Sequence, residues 1–72
     1  MEQVKGFKKL SPDMQRLFRE IYAKHLTSMG AAEKEKHWPE NLKAVKVNQK
    51  ERCFEVYYKH DWYKYYPNGT WG

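Results

Sequence analysis

Aromatic and lysine side chains alternate near the C-terminal end of this chain, and together they suit the binding of bases and phosphates. In the segment 57–71, seven of the fifteen residues are aromatic, and Lys59 and Lys64 lie between the rings. Flat rings give bases a surface on which to stack, at about 1 to 3 kcal/mol each, while lysine ammonium groups attract phosphates. In a chain this short, rings are also needed simply to build a core.

Residues that can bind metals or act in catalysis are present, but they do not have the spacing that such sites require. The three histidines and the single Cys53 form neither a C-x-x-C nor an H-x-x-x-H pattern, so we expect no zinc site. No serine or cysteine nucleophile lies beside a base, and the four glycines are too scattered to cradle a phosphate. The sequence therefore predicts a protein that is not an enzyme and has no cofactor.

Length and charge narrow the class of protein. A chain of 72 residues has enough apolar surface for only one core, and its net charge of +5 favours an anionic partner. The chain has a lone cysteine, and "MEQVKGFKKL" contains no secretory apolar region, which together predict a cytoplasmic protein. No apolar run approaches the length of about 20 residues that spans a bilayer, so we expect no membrane role.

The clearest predicted element is an amphipathic helix that follows a basic arm. Residues 1–10 have no clear period and predict a mobile or loosely docked N-terminal arm, while residues 11–72 predict a single small domain. Ser11 is a suitable N-cap, Pro12 suits the first helical position, and Gly30 is placed to end the helix in the left-handed conformation. An apolar stripe recurs at steps of three and four residues, at Met14, Leu17, Phe18, Ile21, Tyr22, Leu26 and Met29.

From Leu42 onward the period changes to two, which predicts three strands. Residues 48–51 ("NQKE") and 59–61 ("KHD") suit turns, and "PNGT" is a strong turn signal. The last two residues are expected to fold back on the third strand. Residues 31–41 suit one short helical turn or a polar linker, with Trp38 holding it to the body. The whole predicts an α+β fold in which one amphipathic helix packs on a three-stranded antiparallel β-meander.

Strand parity assigns the rings to two faces. On the first two strands, the charged side chains stay in solvent if the alternate apolar residues are buried, namely Val45, Val47, Phe54 and Val56. On the third strand, placing Lys64 in solvent puts its neighbours Tyr63 and Tyr65 in the core. The outward face then carries Lys46, Tyr57, Lys59, Trp62, Lys64 and Tyr66, with Glu55 among the lysines. An alternative is that the arm, or the linker with Trp38, folds over these rings and buries them.

Two functions remain open on these residues. The outward face predicts a binding module that contacts DNA or RNA, with Tyr57, Trp62 and Tyr66 stacking on bases and the three lysines contacting phosphates. The alternative is a protein interaction or adaptor domain that uses the same aromatic face or a sheet edge, and that is a monomer or a weak homodimer. A solvated role is the default for Arg16, Arg19 and Lys24 on the exposed side of the helix. Together with Lys5, Lys8 and Lys9, however, these cations also suit the phosphate backbone of a duplex.

His25 is unusual because it falls near the middle of the apolar stripe of the helix. A histidine at such a position is most often a core residue whose ring nitrogens bind backbone groups or tyrosines. A functional reading is that protonation, near the ordinary value of about 6.5, loosens the helix from the sheet.

Overall fold

The computed structural model describes residues 3–72, which form one main helix packed with an open three-stranded antiparallel sheet, as the sequence predicts. The sheet order is β1-β2-β3, the meander that the turn signals indicate. In chain order the helices and strands are α1 (Pro12–Thr27), α2 (Ala31–Lys36), β1 (Leu42–Asn48), β2 (Cys53–Tyr58) and β3 (Trp62–Tyr65). Short 3-10 turns lie at Phe7–Lys9 and Pro39–Asn41.

Helix α1 begins as predicted and ends differently. The side chain of Ser11 accepts a hydrogen bond from the backbone N–H of Met14 at 3.2 Å, and Pro12 follows it. The expectation that Gly30 ends the helix in the left-handed conformation is wrong: α1 ends at Thr27, and Gly30 has φ −71° and caps the start of α2. A second helix begins at once, so the chain needs an extended residue there rather than a left-handed one.

The strand register places residues on the two faces of the sheet largely as parity predicts. Val45 pairs with Val56, which pairs with Tyr63, and all three lie on the side of the helix. An irregularity between Leu42 and Ala44 adds a residue to β1, and this bulge returns Leu42 to the core side opposite Tyr58.

Val47 differs from the prediction that it lies in the core. Its side chain is 38 % exposed, beside an equally exposed Met14. The reason is its position near the end of an edge strand, where the start of α1 does not cover it. Trp38 is also exposed rather than holding the linker to the body, and its neighbour His37 is the buried residue instead.

The N-terminal segment is packed against the domain. Val4, Phe7 and Leu10 are buried in the same core as the helix and the sheet. The side-chain amide of Gln15 donates to the carbonyl oxygens of Phe7 and Leu10, and the guanidinium of Arg19 lies 5.2 Å from the centre of the Phe7 ring. Residues 3–10 are thus held by apolar burial and hydrogen bonds, which the irregular spacing of their apolar residues did not reveal.

The C-terminal end folds back on β3, as predicted. The backbones of Lys64 and Gly72 exchange two hydrogen bonds, of 2.8 and 3.0 Å, and Trp71 lies opposite Tyr65. The turn between them uses Gly69 at φ +90°, a conformation that favours glycine. In the part of the chain that the structure describes, no helix has the length and apolarity to cross a membrane.

Candidate functional site

The outward face of the sheet carries a pair of stacked rings. Tyr57 on β2 lies directly opposite Trp62 on β3, their ring centres are 5.8 Å apart, and their planes differ by 18°. Trp62 is 55 % exposed, so neither the arm nor the linker buries it. The rings at these two positions therefore point outward, as parity predicts, while Tyr65 is fully buried and Tyr63 half-buried.

A carboxylate lies next to this ring pair and is held in its charged form. The hydroxyl of Tyr57 donates to Glu55 at 2.9 Å, and the side-chain amide of Asn48 donates to the other oxygen at 3.0 Å. These two hydrogen bonds lower the pKa of Glu55. The bond between Tyr57 and Glu55 also raises the pKa of Tyr57. Glu55 thus fixes the position of the Tyr57 ring, at the cost of a negative charge on the face.

Lys64, predicted to contact phosphates, is already engaged by an acidic side chain. Its ammonium group lies 2.9 and 3.1 Å from the two carboxylate oxygens of Glu51, and this hydrogen bonding raises the pKa of Lys64. Glu51 lies in the turn between β1 and β2. The sequence did not reveal this partner, because Glu51 and Lys64 come together only through the pairing of β2 with both β1 and β3.

Lys46 and Lys59 are exposed, and among residues 3–72 no carboxylate lies within ion-pair distance of either ammonium group. Lys46 lies on β1 opposite Glu55, whereas Lys59 follows β2 at the end of the sheet nearest Trp62. They remain the two cations of the predicted set that are available to a ligand.

Tyr66 is not brought together with the other two predicted stacking residues. It follows β3, is half-buried, and its backbone N–H donates to Thr70 at 2.9 Å. Four residues of extended chain separate it from Trp62 by about 13 Å. The structure therefore offers one compact ring pair rather than three adjacent rings.

A second group of titratable side chains lies in the core. His25 is buried and bound to a tyrosine hydroxyl, as predicted for a core histidine, and His37 is buried beside it with ring centres 5.8 Å apart. Burial, and then the neighbouring His37, lower the pKa of His25 to about 4. Burial also raises the pKa of Tyr58 and Tyr65, and raises that of Tyr22 to about 12.

This core group has no evident ligand chemistry. Among the described residues, no cluster of three or more histidine, cysteine or acidic side chains has the arrangement to hold a metal ion. Two grooves on the surface, described below, are lined by other residues. The outward face is therefore the better candidate for a functional site.

No family model, curated protein or solved structure matches this chain. The residues of the outward face and their geometry are thus the basis for proposing a function.

Proposed function

We propose that this protein is a small, non-enzymatic cytoplasmic module that binds single-stranded nucleic acid on the outward face of its sheet. The observation that carries the proposal is the exposed stack of Trp62 on Tyr57, near two exposed lysines, Lys46 and Lys59, that form no ion pair within residues 3–72. No cofactor takes part. Binding modules for single strands combine ring platforms with cations in this way, and they tolerate sequence differences because every base has a flat face.

The roles of the residues follow from their exposure. Trp62 is the outer ring of the pair and offers its open side to a base, while Tyr57 supports it from β2 and is itself fixed by Glu55. Lys46 lies on β1 two residues beyond the partner of Tyr57, and Lys59 follows the end of β2 two residues after Tyr57; both would contact phosphates next to the stacked base. Lys64 joins them only if a phosphate displaces Glu51.

An amide chemical-shift titration of the labelled protein tests the proposal. Short mixed-sequence single strands and a short duplex are added at about 50 and 200 mM salt. We expect shifts around residues 46, 57–59 and 62–66 with the single strand, and weaker binding at the higher salt because phosphate contacts release counterions. No shifts at either salt, or shifts that salt does not weaken, contradict the proposal.

A protein partner is the second candidate, and a different surface favours it. An apolar groove of about 290 Å³, lined by Met14, Leu17, Val47, Phe54 and Pro67 among others, lies where β1 meets the start of α1. Beyond Val45 the outer edge of β1 has no neighbouring strand in the described residues. Association that tolerates salt, or a concentration-dependent mass in sedimentation, would support this function instead.

A further inference from the structure

A basic groove adjoins the ring pair on the side of the N-terminal segment. It lies between residues 5–10 and the outer edge of β1, has a volume of about 750 Å³, and is lined by Lys5, Lys9, Lys46 and Tyr57 among others. From the sequence alone, Lys5 and Lys9 lie in a mobile or loosely docked arm and suit a duplex backbone together with the cations of the helix, and nothing in the sequence places them beside the outward face.

The backbone around the groove is fixed on both sides. Lys5 pairs with Ala44 as a short parallel bridge: its N–H donates to Lys43 at 3.0 Å, and its carbonyl oxygen accepts from Val45 at 2.9 Å. Gly6, at φ +89°, then turns the chain away from β1, so that the pairing stops and a groove opens. Buried Phe7 anchors the departing segment.

The charge of the groove is of one sign. All its charged lining residues are lysines, and among residues 3–72 no carboxylate lies within ion-pair distance of the ammonium groups of Lys5, Lys9 or Lys46. Glu55 lies opposite Lys46 across the strands but does not line the groove, and the charge of Lys46 helps to lower the pKa of Glu55. Three lysines around one concave surface, none of them in an ion pair with a carboxylate of residues 3–72, attract a polyanion rather than a single weak acid.

The strand register joins this groove to the ring pair. Trp62 lies opposite Tyr57, Tyr57 opposite Ala44, and Ala44 opposite Lys5, so these four residues form one row across the sheet. The row spans three strand spacings, about 14 Å. Ala44 is the small member of the row, and it leaves the path from Tyr57 to the groove open.

We infer that the groove holds the phosphate backbone of the same single strand whose base stacks on Trp62, with Lys5, Lys9 and Lys46 as its phosphate contacts. This inference rests on the proposed function and adds a direction to it: the strand crosses the sheet along the row from β3 to residue 5. The N-terminal segment is then part of the binding site.

Two charge-matched double variants test this path. Lys5→Gln with Lys9→Gln removes two groove lysines, while Lys8→Gln with Lys50→Gln removes two exposed lysines that do not line the groove. Affinity for an end-labelled, mixed-sequence single strand of 12 nucleotides is measured by fluorescence anisotropy between about 50 and 200 mM salt. Circular dichroism checks that both variants fold.

We expect the groove variant to bind about tenfold more weakly at about 50 mM salt. The slope of the logarithm of the association constant against the logarithm of the salt concentration should become shallower by about 1.4, or roughly 0.7 for each lost phosphate contact. The control variant should lose no more than about threefold, since it changes only the overall charge. Equal losses for the two variants would overturn the groove path and leave the proposed function intact.

Two further outcomes separate the alternatives. If the unmodified protein binds no single strand, the proposed function and the groove path both fail. If a polyglutamate peptide of the same charge binds as tightly as the oligonucleotide and depends equally on Lys5 and Lys9, the groove is a site for acidic peptides, and the inference is overturned.

Discussion

His25 Nδ1 lies 2.8 Å from the phenol oxygen of Tyr65 in the core, and that oxygen also forms a short hydrogen bond with the hydroxyl of Tyr58. The three groups satisfy one another away from water, which explains how a histidine can occupy the apolar face of α1. Next to them, the hydroxyl of Tyr22 donates to the carbonyl oxygen of His37 at 2.6 Å. The core of this small domain is therefore partly polar, and we expect its stability to depend on the protonation of His25.

Acid should destabilise the protein through His25. Because its pKa is lowered from 6.5 to about 4 in the folded state, the unfolded chain binds more protons between these values. The contribution of neutral His25 is complete above pH 6.5 and is lost as the pH falls toward 4, by roughly 2 to 3 kcal/mol. Urea unfolding at several pH values measures this, with His25→Gln expected to flatten the dependence and the exposed His60→Gln to leave it unchanged.

Tyr65→Phe should cost about 1 to 3 kcal/mol of unfolding free energy, because it leaves His25 and Tyr58 without their shared partner. Tyr63→Phe is the matched control: its hydroxyl makes no hydrogen bond among the described residues, and we expect a change within about 0.5 kcal/mol. Denaturant titration measures both, and equal effects would contradict the role of Tyr65 as the bridge.

Gly6→Ala should detach the N-terminal segment from β1. A Cβ atom at Gly6 would lie 2.3 Å from the carbonyl oxygen of Val45, and φ is +89° there, so we expect a loss of at least about 2 kcal/mol. Gly30→Ala is the control, because a Cβ at that glycine meets nothing within 4 Å and φ is negative. Amide exchange at Val45 should rise in the first variant alone.

Trp62→Ala should weaken binding to a single strand by roughly 5- to 150-fold, which corresponds to the loss of one stacked base. The side chain is more than half exposed, so the unfolding midpoint should change little. Trp38→Ala removes an equally large exposed ring outside the outward face and should leave the affinity unchanged. Parallel losses of stability and affinity in Trp62→Ala would show instead that its ring is structural.

Glu51→Gln should raise the affinity for a single strand by a few fold at low salt, because it releases Lys64 for phosphate contact. The pair is on the surface, and its loss should hardly move the unfolding midpoint. Glu20→Gln, on the exposed side of α1, is the control, because it changes the net charge by the same amount at a position away from the site. If both variants gain the same affinity, the effect is one of overall charge, and Lys64 is not a contact.

Local chemistry and periodicity determined much of this protein. Ser11 and Pro12 start α1, alternation sends Trp62 outward and Tyr65 inward, and the turn signal at Gly69 returns the end of the chain to β3. These features depend on neighbours within a few residues, so the sequence is enough to predict them.

Only the tertiary structure decided the remaining features of the site. Lys64 binds Glu51, thirteen positions away, and Lys5 pairs with Ala44, because strand register and the docking of residues 3–10 bring distant parts of the chain together. A bulge at Leu42 and the burial of His37 likewise depend on packing between elements, which no local pattern records. The sequence determined that Trp62 faces solvent and Tyr65 the core, and the fold determined which cations are available beside Trp62.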